Sequence, residues 1–167
     1  MQEFSIVHEF DGRPEQYWDL YLDDGYNRAF YAAVDVVFDV LEEVRDGGRI
    51  TRAVRYRSTQ PVAPLMKPFL KDGLGYDEHA TLDRTAGRVE QTVVPNAFAD
   101  RVDIRGTITV EAISSTRIRR TYAGTVAIDV ALLGRKMEAQ TIAGMQKAQD
   151  IGAGVTREWL ARAAEAA

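Results

Sequence analysis

Side chains able to carry acid–base or hydrogen-bonding chemistry recur at every second position of several segments in which apolar and polar residues alternate. Such alternation is typical of a β-strand with one buried face, so these side chains are predicted to point inward. The set comprises Arg52, Tyr56, Tyr76, Glu78, Gln91, Arg120 and Tyr122, and His8 joins it from the N-terminal segment.

Charges on a buried face need partners, because an isolated buried charge is strongly destabilising. One interpretation is a structural ion pair between Arg52 and Glu78, with Arg120 bonded to tyrosine or carbonyl groups. The other is a polar pole inside an apolar cavity, where the forked guanidinium of Arg120 holds a ligand carboxylate or phosphate. Glu78 could act there as a general acid or base if it is desolvated. The sequence leaves both interpretations open.

The familiar signatures of catalytic and metal sites are missing from the sequence. There is no cysteine, and the two histidines, His8 and His79, match no metal-ligand spacing. A phosphate-binding glycine loop, a Gly-X-Ser-X-Gly elbow and an HExxH pattern are all lacking. We interpret His8 as a satisfied core histidine and His79 as a solvated residue on an outer face. The sequence therefore predicts no catalytic residue, no metal and no cofactor.

Seven segments show the two-residue period of strands, with Gly47-Gly48 as a hairpin turn between two of them. In the second strand we expect Val34, Val36, Phe38 and Val40 to share the inner face. Two short helices, around 17–21 and 26–33, separate the first two strands. The predicted strands cover 2–10, 34–43, 49–59, 75–83, 88–95, 101–113 and 116–130.

The C-terminal segment from Leu133 to Ala163 carries small or apolar residues at helical spacing. This pattern predicts a single long amphipathic helix, roughly 45 Å in length. Its small central residues leave room either for close packing of another element or for a cavity. The predicted inward stripe consists of Leu133, Met137, Gly144, Ala148, Ile151, Val155 and Trp159.

The segment Pro61–Gly73 matches neither a strand nor a regular helix. Its three prolines prevent a strand ladder, yet Leu65, Met66, Phe69 and Leu70 make it too apolar for a solvated loop. We predict that it folds back over one end of the sheet. It would act there as a plug of the core or as a lid over a site.

Length and charge narrow the remaining possibilities. A chain of 167 residues can bury a proper core, so we predict a single domain over 1–167. The formal charge of −4 argues against nucleic acid as a partner. No apolar run reaches the length of a membrane span, and the N-terminus alternates instead of forming a signal-peptide core. We expect a cytoplasmic monomer or weak homodimer, with Val37 and Leu41 available for a modest contact surface.

The order of elements, β–α–α–β–β–β–β–β–β–α, resembles the START-like superfamily, also called the SRPBCC or birch-pollen-allergen-like helix-grip fold. The first strand, the paired short helices, the Gly47-Gly48 turn and the terminal helix carry the resemblance. More narrowly, HEF near the start and the runs PVAPLMKPFLKDGLGYDE and GTVAIDVALLGRKME are similar to an uncharacterised bacterial branch. The resemblance implies an α+β fold in which a seven-stranded antiparallel sheet wraps around the long C-terminal helix.

Members of this superfamily bind lipids, sterols, polyketides or other apolar ligands between helix and sheet, and some are cyclases or dehydratases. The resemblance therefore implies a cavity, and it favours a non-catalytic carrier or sensor of a small apolar or amphipathic ligand. Two alternatives remain: a polyketide-cyclase-type enzyme that uses Glu78, His8 or a tyrosine, and a filled-core structural or regulatory domain. The predicted ligand contacts are Phe30, Arg52, Val54, Tyr56, Tyr76, Glu78, Gln91, Arg120, Tyr122, Gly144, Ala148, Ile151 and Val155.

Overall fold

The strands and helices follow the predicted order. The computed structural model describes residues 1–61 and 73–165, and the predicted plug or lid falls on residues 62–72, outside the described part of the chain. The strands are β1 (Gln2–Asp11), β2 (Val36–Asp46), β3 (Arg49–Ser58), β4 (Gly75–Asp83), β5 (Arg88–Pro95), β6 (Val102–Ala112) and β7 (Arg117–Ile128). The helices are α1 (Pro14–Tyr21), α2 (Asp24–Ala32) and α3 (Gly134–Glu165).

The described strands form one antiparallel sheet in the order β1-β7-β6-β5-β4-β3-β2. Helix α3 packs across β1 and β7, and α1 and α2 pack against α3. The predicted helix-grip architecture, with two short helices between the first two strands, is therefore confirmed. None of the described helices is both long and apolar enough to cross a membrane.

The two short helices begin where the sequence supplies helix-starting residues. Pro14 occupies the first turn of α1, where its missing N–H is not needed. The Asp23 carboxylate caps α2 by accepting a hydrogen bond from the Tyr26 N–H at 2.7 Å. Each helix then buries aromatic side chains in the core, including Trp18 from α1 and Phe30 from α2.

The two ends of the sheet differ. At one end, which we call the hairpin end, short turns join neighbouring strands and the inward apolar side chains are buried, as at Leu82 and Ile118. At the other, which we call the open end, the chain enters β1, crosses from β5 to β6 and passes from β7 to α3. Inward side chains near the open end, Tyr76, Val93 and Val102, are half-buried. The interior is therefore most accessible to solvent at the open end.

The inward stripe of α3 differs from the prediction by one residue. The buried positions include Gly152, Thr156 and Leu160, whereas the predicted Leu133, Gly144 and Ile151 are exposed. A shift of one residue rotates a helix by about 100°, since one turn takes 3.6 residues. Val155 and Trp159 of the predicted stripe still pack against the core, but the buried positions also include the polar Glu138 and Thr156, so a search for small and apolar residues missed the centre of the buried face.

Strand β2 also departs from the prediction. It begins at Val36 rather than Val34, and its register with β3 shifts between Val40 and Glu42. The extra residue at this β-bulge changes which side chains face inward, so Glu43 lies opposite Arg52. Val40, predicted to be buried, is exposed. Alternation cannot reveal such an insertion, because the bulge preserves the apolar and polar composition of the strand.

Candidate functional site

Three neighbouring strands bring polar side chains together on the inner face of the sheet. Arg52 of β3 and Gln91 of β5 are in register with Ala80 of β4 from opposite sides, and Glu78 lies two residues before Ala80 on the same face. All three side chains are buried. We call Arg52, Glu78 and Gln91 the polar group. The small side chain of Ala80 leaves space between them.

Glu78 is the titratable centre of the polar group. Burial raises its pKa from 4.5 to about 7, because desolvation penalises the carboxylate. Hydrogen bonds from Gln91 and Tyr56 and the charge of Arg52 partly oppose this rise. Near neutral pH the carboxyl group therefore exchanges readily between its protonated and ionised forms.

Arg52 forms its ion pair with β2 rather than with Glu78. Its Nε lies 3.0 Å from Oε2 of Glu43, and its Nη1 donates to the Tyr21 carbonyl at 3.4 Å. The predicted structural pair between Arg52 and Glu78 is therefore wrong as a direct contact. The cause is the β2 bulge, which places Glu43 opposite Arg52.

Tyrosine side chains surround the polar group. Tyr31 donates a hydrogen bond to the Tyr56 hydroxyl at 3.0 Å, and the rings of Tyr56 and Tyr76 stack with centroids 4.9 Å apart. Burial raises the pKa of Tyr21, Tyr31 and Tyr56 well above the usual value, and Glu78 adds to the effect. These hydroxyls therefore stay protonated and serve as hydrogen-bonding groups.

A cavity of about 20 Å³ lies among these side chains, enough for a single water molecule. Five of its lining residues were not predicted as site residues: Tyr21, Asn27, Tyr31, Phe38 and Ala80. The aromatic spacing of the short helices placed Tyr21 in a helix, but that spacing does not show which strand a helix covers. The cavity is lined by Tyr21, Asn27, Tyr31, Phe38, Arg52, Val54, Tyr56, Glu78 and Ala80.

Two polar atoms of the polar group have no hydrogen-bond partner among residues 1–61 and 73–165. They are the Gln91 side-chain oxygen and the Arg52 Nε, whose short distance to Glu43 lacks hydrogen-bond alignment. A buried polar atom without a partner costs about 1–3 kcal/mol. Folded proteins pair most of their buried polar atoms, so these two atoms are suited to bond a ligand group or an ordered water.

A second polar cluster joins β1, β7 and α3. Arg120 is 2% exposed, and its Nη2 donates to His8 Nδ1 at 2.8 Å. Because Nδ1 accepts, the proton of neutral His8 is on Nε2, which donates to Asp150 Oδ1 at 2.8 Å. Burial lowers the pKa of His8. The prediction that Arg120 bonds tyrosine or carbonyl groups is therefore wrong, and this cluster links the sheet to α3.

The predicted contacts on the helices have different surroundings. Phe30 is buried against Gly152, where an added Cβ would collide with its ring, so the small residue serves close packing of α2 on α3. A Cβ at Gly144 would meet no atom of the described residues within 4 Å. Ala148 and Val155 are half-buried, while Tyr122 is buried over Gly106. The strand residues of the prediction thus lie together, whereas Gly144 and Ile151 do not join them.

His79 is exposed on the outer face of β4, as the alternation predicted. Across residues 1–61 and 73–165, no group of three or more His, Cys, Asp or Glu side chains has the arrangement of a metal site.

Known structures share this architecture. A protein from Thermus thermophilus superposes with a TM-score of 0.67 at 16% identity, over 97% of this chain and 99% of the other. The Zhui aromatase/cyclase from Streptomyces sp. R1128 superposes with a TM-score of 0.58 at 10% identity, over 98% of this chain and 93% of the other. Norcoclaurine synthase from Thalictrum flavum superposes with a TM-score of 0.56 at 15% identity, over 93% of this chain and 87% of the other. These likenesses confirm the START-like fold, and at such identities they show the fold alone.

At the level of sequence, the chain matches one protein family. A family model described as a protein of unknown function, DUF2505, matches residues 5–160. The search of curated proteins found no match.

Proposed function

The chain belongs to the DUF2505 family, and from this premise and the polar interior of its helix-grip fold we propose that it binds a small amphipathic ligand on the inner face of the sheet. The observation that carries the proposal is the polar group itself. Buried side chains from three adjacent strands meet on the inner face of the sheet, and Gln91 and Arg52 each retain an atom without a hydrogen-bond partner among the described residues.

The size of the cavity limits what the polar group can hold. A volume of about 20 Å³ accommodates one water-sized group, such as a ligand hydroxyl or carbonyl oxygen. A carbonyl oxygen in the cavity could accept from Arg52, which lines it, and a ligand hydroxyl beyond the cavity could donate to the Gln91 oxygen. The apolar part of the ligand would then extend along Tyr76, Val93 and Val102 towards the open end, where the inner face is half-buried.

The first test is native mass spectrometry of the protein as purified, followed by solvent extraction. A bound mass that is released as an amphipathic compound supports the proposal. Gln91→Leu should lose that mass, while Thr92→Val, the next residue on β5 but exposed on the outer face, should keep it. An unliganded mass, together with no thermal stabilisation by fatty acids, sterols or aromatic polyketides, would instead favour a filled-core regulatory domain.

A second candidate is an enzyme that transfers protons, and the pKa of Glu78 favours it. A carboxyl group with a pKa of about 7 among protonated tyrosines can both donate and accept a proton near neutral pH. Two of the similar structures are named as an aromatase/cyclase and a synthase, which makes a cyclisation reaction the class to try first. For an enzyme, Glu78→Gln should abolish turnover and retain ligand binding. For a carrier, no turnover exists to lose.

A further inference from the structure

The open end presents apolar side chains to solvent on more than one connection. Leu132 is fully exposed and Leu133 is 53% exposed, both between β7 and α3, and Leu74 is 56% exposed just before β4. Backbone hydrogen bonds link each of these connections to the β5–β6 connection that lies between them, since Asp129 N–H donates to Arg101 O at 2.8 Å and Asn96 N–H donates to Gly75 O at 2.9 Å. Exposed leucines concentrated on loops are typical of a surface that contacts another molecule.

Leu132 is held in its outward position by the backbone. Its φ of 65° lies in the left-handed region, which is unfavourable for a branched side chain. The turn around it is closed by hydrogen bonds from Leu133 N–H to Val130 O at 3.2 Å and from Gly134 N–H to Val130 O at 2.8 Å. Leu132 and Leu133, which we call the leucine pair, therefore project from an ordered turn.

Two basic residues follow the leucine pair at an unusual place. Arg135 and Lys136 are exposed in the first turn of α3, which contains no acidic residue. The N-terminus of a helix carries partial positive charge, so basic residues there oppose the helix dipole. Within the described residues neither forms an ion pair. Their position is therefore unfavourable for the helix and suits an anionic partner outside the chain.

Apolar side chains that project next to basic groups match the chemistry of a phospholipid surface. Leucine side chains can enter the boundary between headgroups and acyl chains, and arginine and lysine can contact the phosphates above it. Asp100 and Asp129 lie at the same end, so apolar insertion must contribute much of the attraction. We propose that the open end docks on a phospholipid membrane surface, with Leu132 and Leu133 inserted and Arg135 and Lys136 on the headgroups.

This inference does not depend on the proposed ligand, and a vesicle flotation experiment tests it directly. The wild-type protein should float with vesicles of phosphatidylcholine and phosphatidylserine. The double variant Leu132→Asp/Leu133→Asp should lose at least about tenfold in apparent affinity, because both insertions are removed. Leu41→Asp is the matched control, since Leu41 is 50% exposed on edge strand β2 away from the loops of the open end, and it should float like the wild type.

The contribution of Arg135 and Lys136 to vesicle binding can be measured separately. Arg135→Gln/Lys136→Gln should weaken binding to vesicles that contain phosphatidylserine by about tenfold or more, and added salt should reduce this difference. Circular dichroism should show that every variant remains folded.

Any of three results would overturn the docking proposal. The first is a wild-type protein that stays unbound at every lipid concentration, and the second is a Leu132→Asp/Leu133→Asp variant that floats as well as the wild type. The third is a wild-type dimer seen by light scattering without lipid that becomes monomeric in this variant, which would assign the surface to a second copy of the chain. The interior ligand would be judged separately, from the native mass spectrum of Gln91→Leu.

Discussion

Glu78 and His8 are both buried, and burial moves their pKa values in opposite directions. It raises the pKa of the acid and lowers that of the base, because in each case the charged form loses hydration. Glu78 is surrounded by Arg52, Gln91 and Tyr56, whereas His8 faces Asp150, Arg120 and Arg157. The two residues should therefore give opposite contributions to the pH dependence of stability.

The free energy of unfolding should depend on Glu78 at near-neutral pH. Its folded pKa of about 7 exceeds the ordinary 4.5, so its contribution is fully present below pH 4.5 and is lost as pH rises through 7. This rise corresponds to about 3 kcal/mol. Glu78→Gln should be insensitive to this loss and more stable than the wild type at pH 8. Urea unfolding at pH 5 and pH 8 measures the free energy of unfolding of the wild type and of Glu78→Gln. Glu3→Gln, at an exposed position, is the control. Parallel pH profiles for wild type and Glu78→Gln would contradict the prediction.

The neutral form of His8 should stabilise the fold above its ordinary pKa of 6.5. Because the folded pKa is lowered, the unfolded chain binds the proton more readily, and stability falls as pH drops below about 6.5. His8→Gln keeps an acceptor for Arg120 and a donor for Asp150, so it should flatten this acid loss. Thermal unfolding from pH 7 to pH 5 measures the effect. The exposed His79→Gln serves as the comparison, and an unchanged slope in His8→Gln would rule the explanation out.

At the scale of elements, α3 is positioned by close contacts as well as by apolar area. Gly152 allows the Phe30 ring of α2 to approach the helix backbone, and Tyr26 shares a hydrogen bond with Thr156 at 2.8 Å. On the β1 and β7 side, His8 and Arg120 connect the sheet to Asp150. Together these contacts determine the rotation of α3 about its axis.

Two glycines of α3 should respond oppositely to the same substitution. Gly152→Ala should lower the free energy of unfolding by about 1–3 kcal/mol, since its Cβ would collide with Phe30. Gly144→Ala should raise it by about 0.5–1 kcal/mol, because the space there is open and alanine favours the helix. Urea unfolding of both variants tests the pair. Equal changes would contradict the observed rotation of α3.

At the scale of the whole molecule, the sheet is open, and β1 and β2 form its edges. Helix α3 packs on β1, whereas β2 carries the bulge and exposes Val37, Leu41 and Val44. An edge strand with few buried side chains opens at lower free energy than a central strand. The molecule should therefore be least stable along β2.

Hydrogen exchange should reveal this difference. Amides of β2 should exchange faster than those of β7, which pairs with strands on both sides. Mass spectrometry of exchange at neutral pH can compare peptides from the two strands. Similar protection would indicate that β2 is covered in solution, for example by a second copy of the chain at its exposed valines and Leu41.

The sequence by itself determined the fold and most of the polar interior. Strict alternation predicted β4 and β5 with their observed ends and placed Glu78 and Gln91 on the inner face. This worked because a strand has an integral period, so one buried face fixes the side of every residue.

Only the tertiary structure decided which side chains meet. The bulge in β2 replaced Glu78 with Glu43 as the ion-pair partner of Arg52, and periodicity does not register an inserted residue. The rotation of α3 depends on Phe30 and His8, which are far from that helix in sequence. Tyr31 entered the site for the same reason, since a short helix can cover any strand until packing selects one.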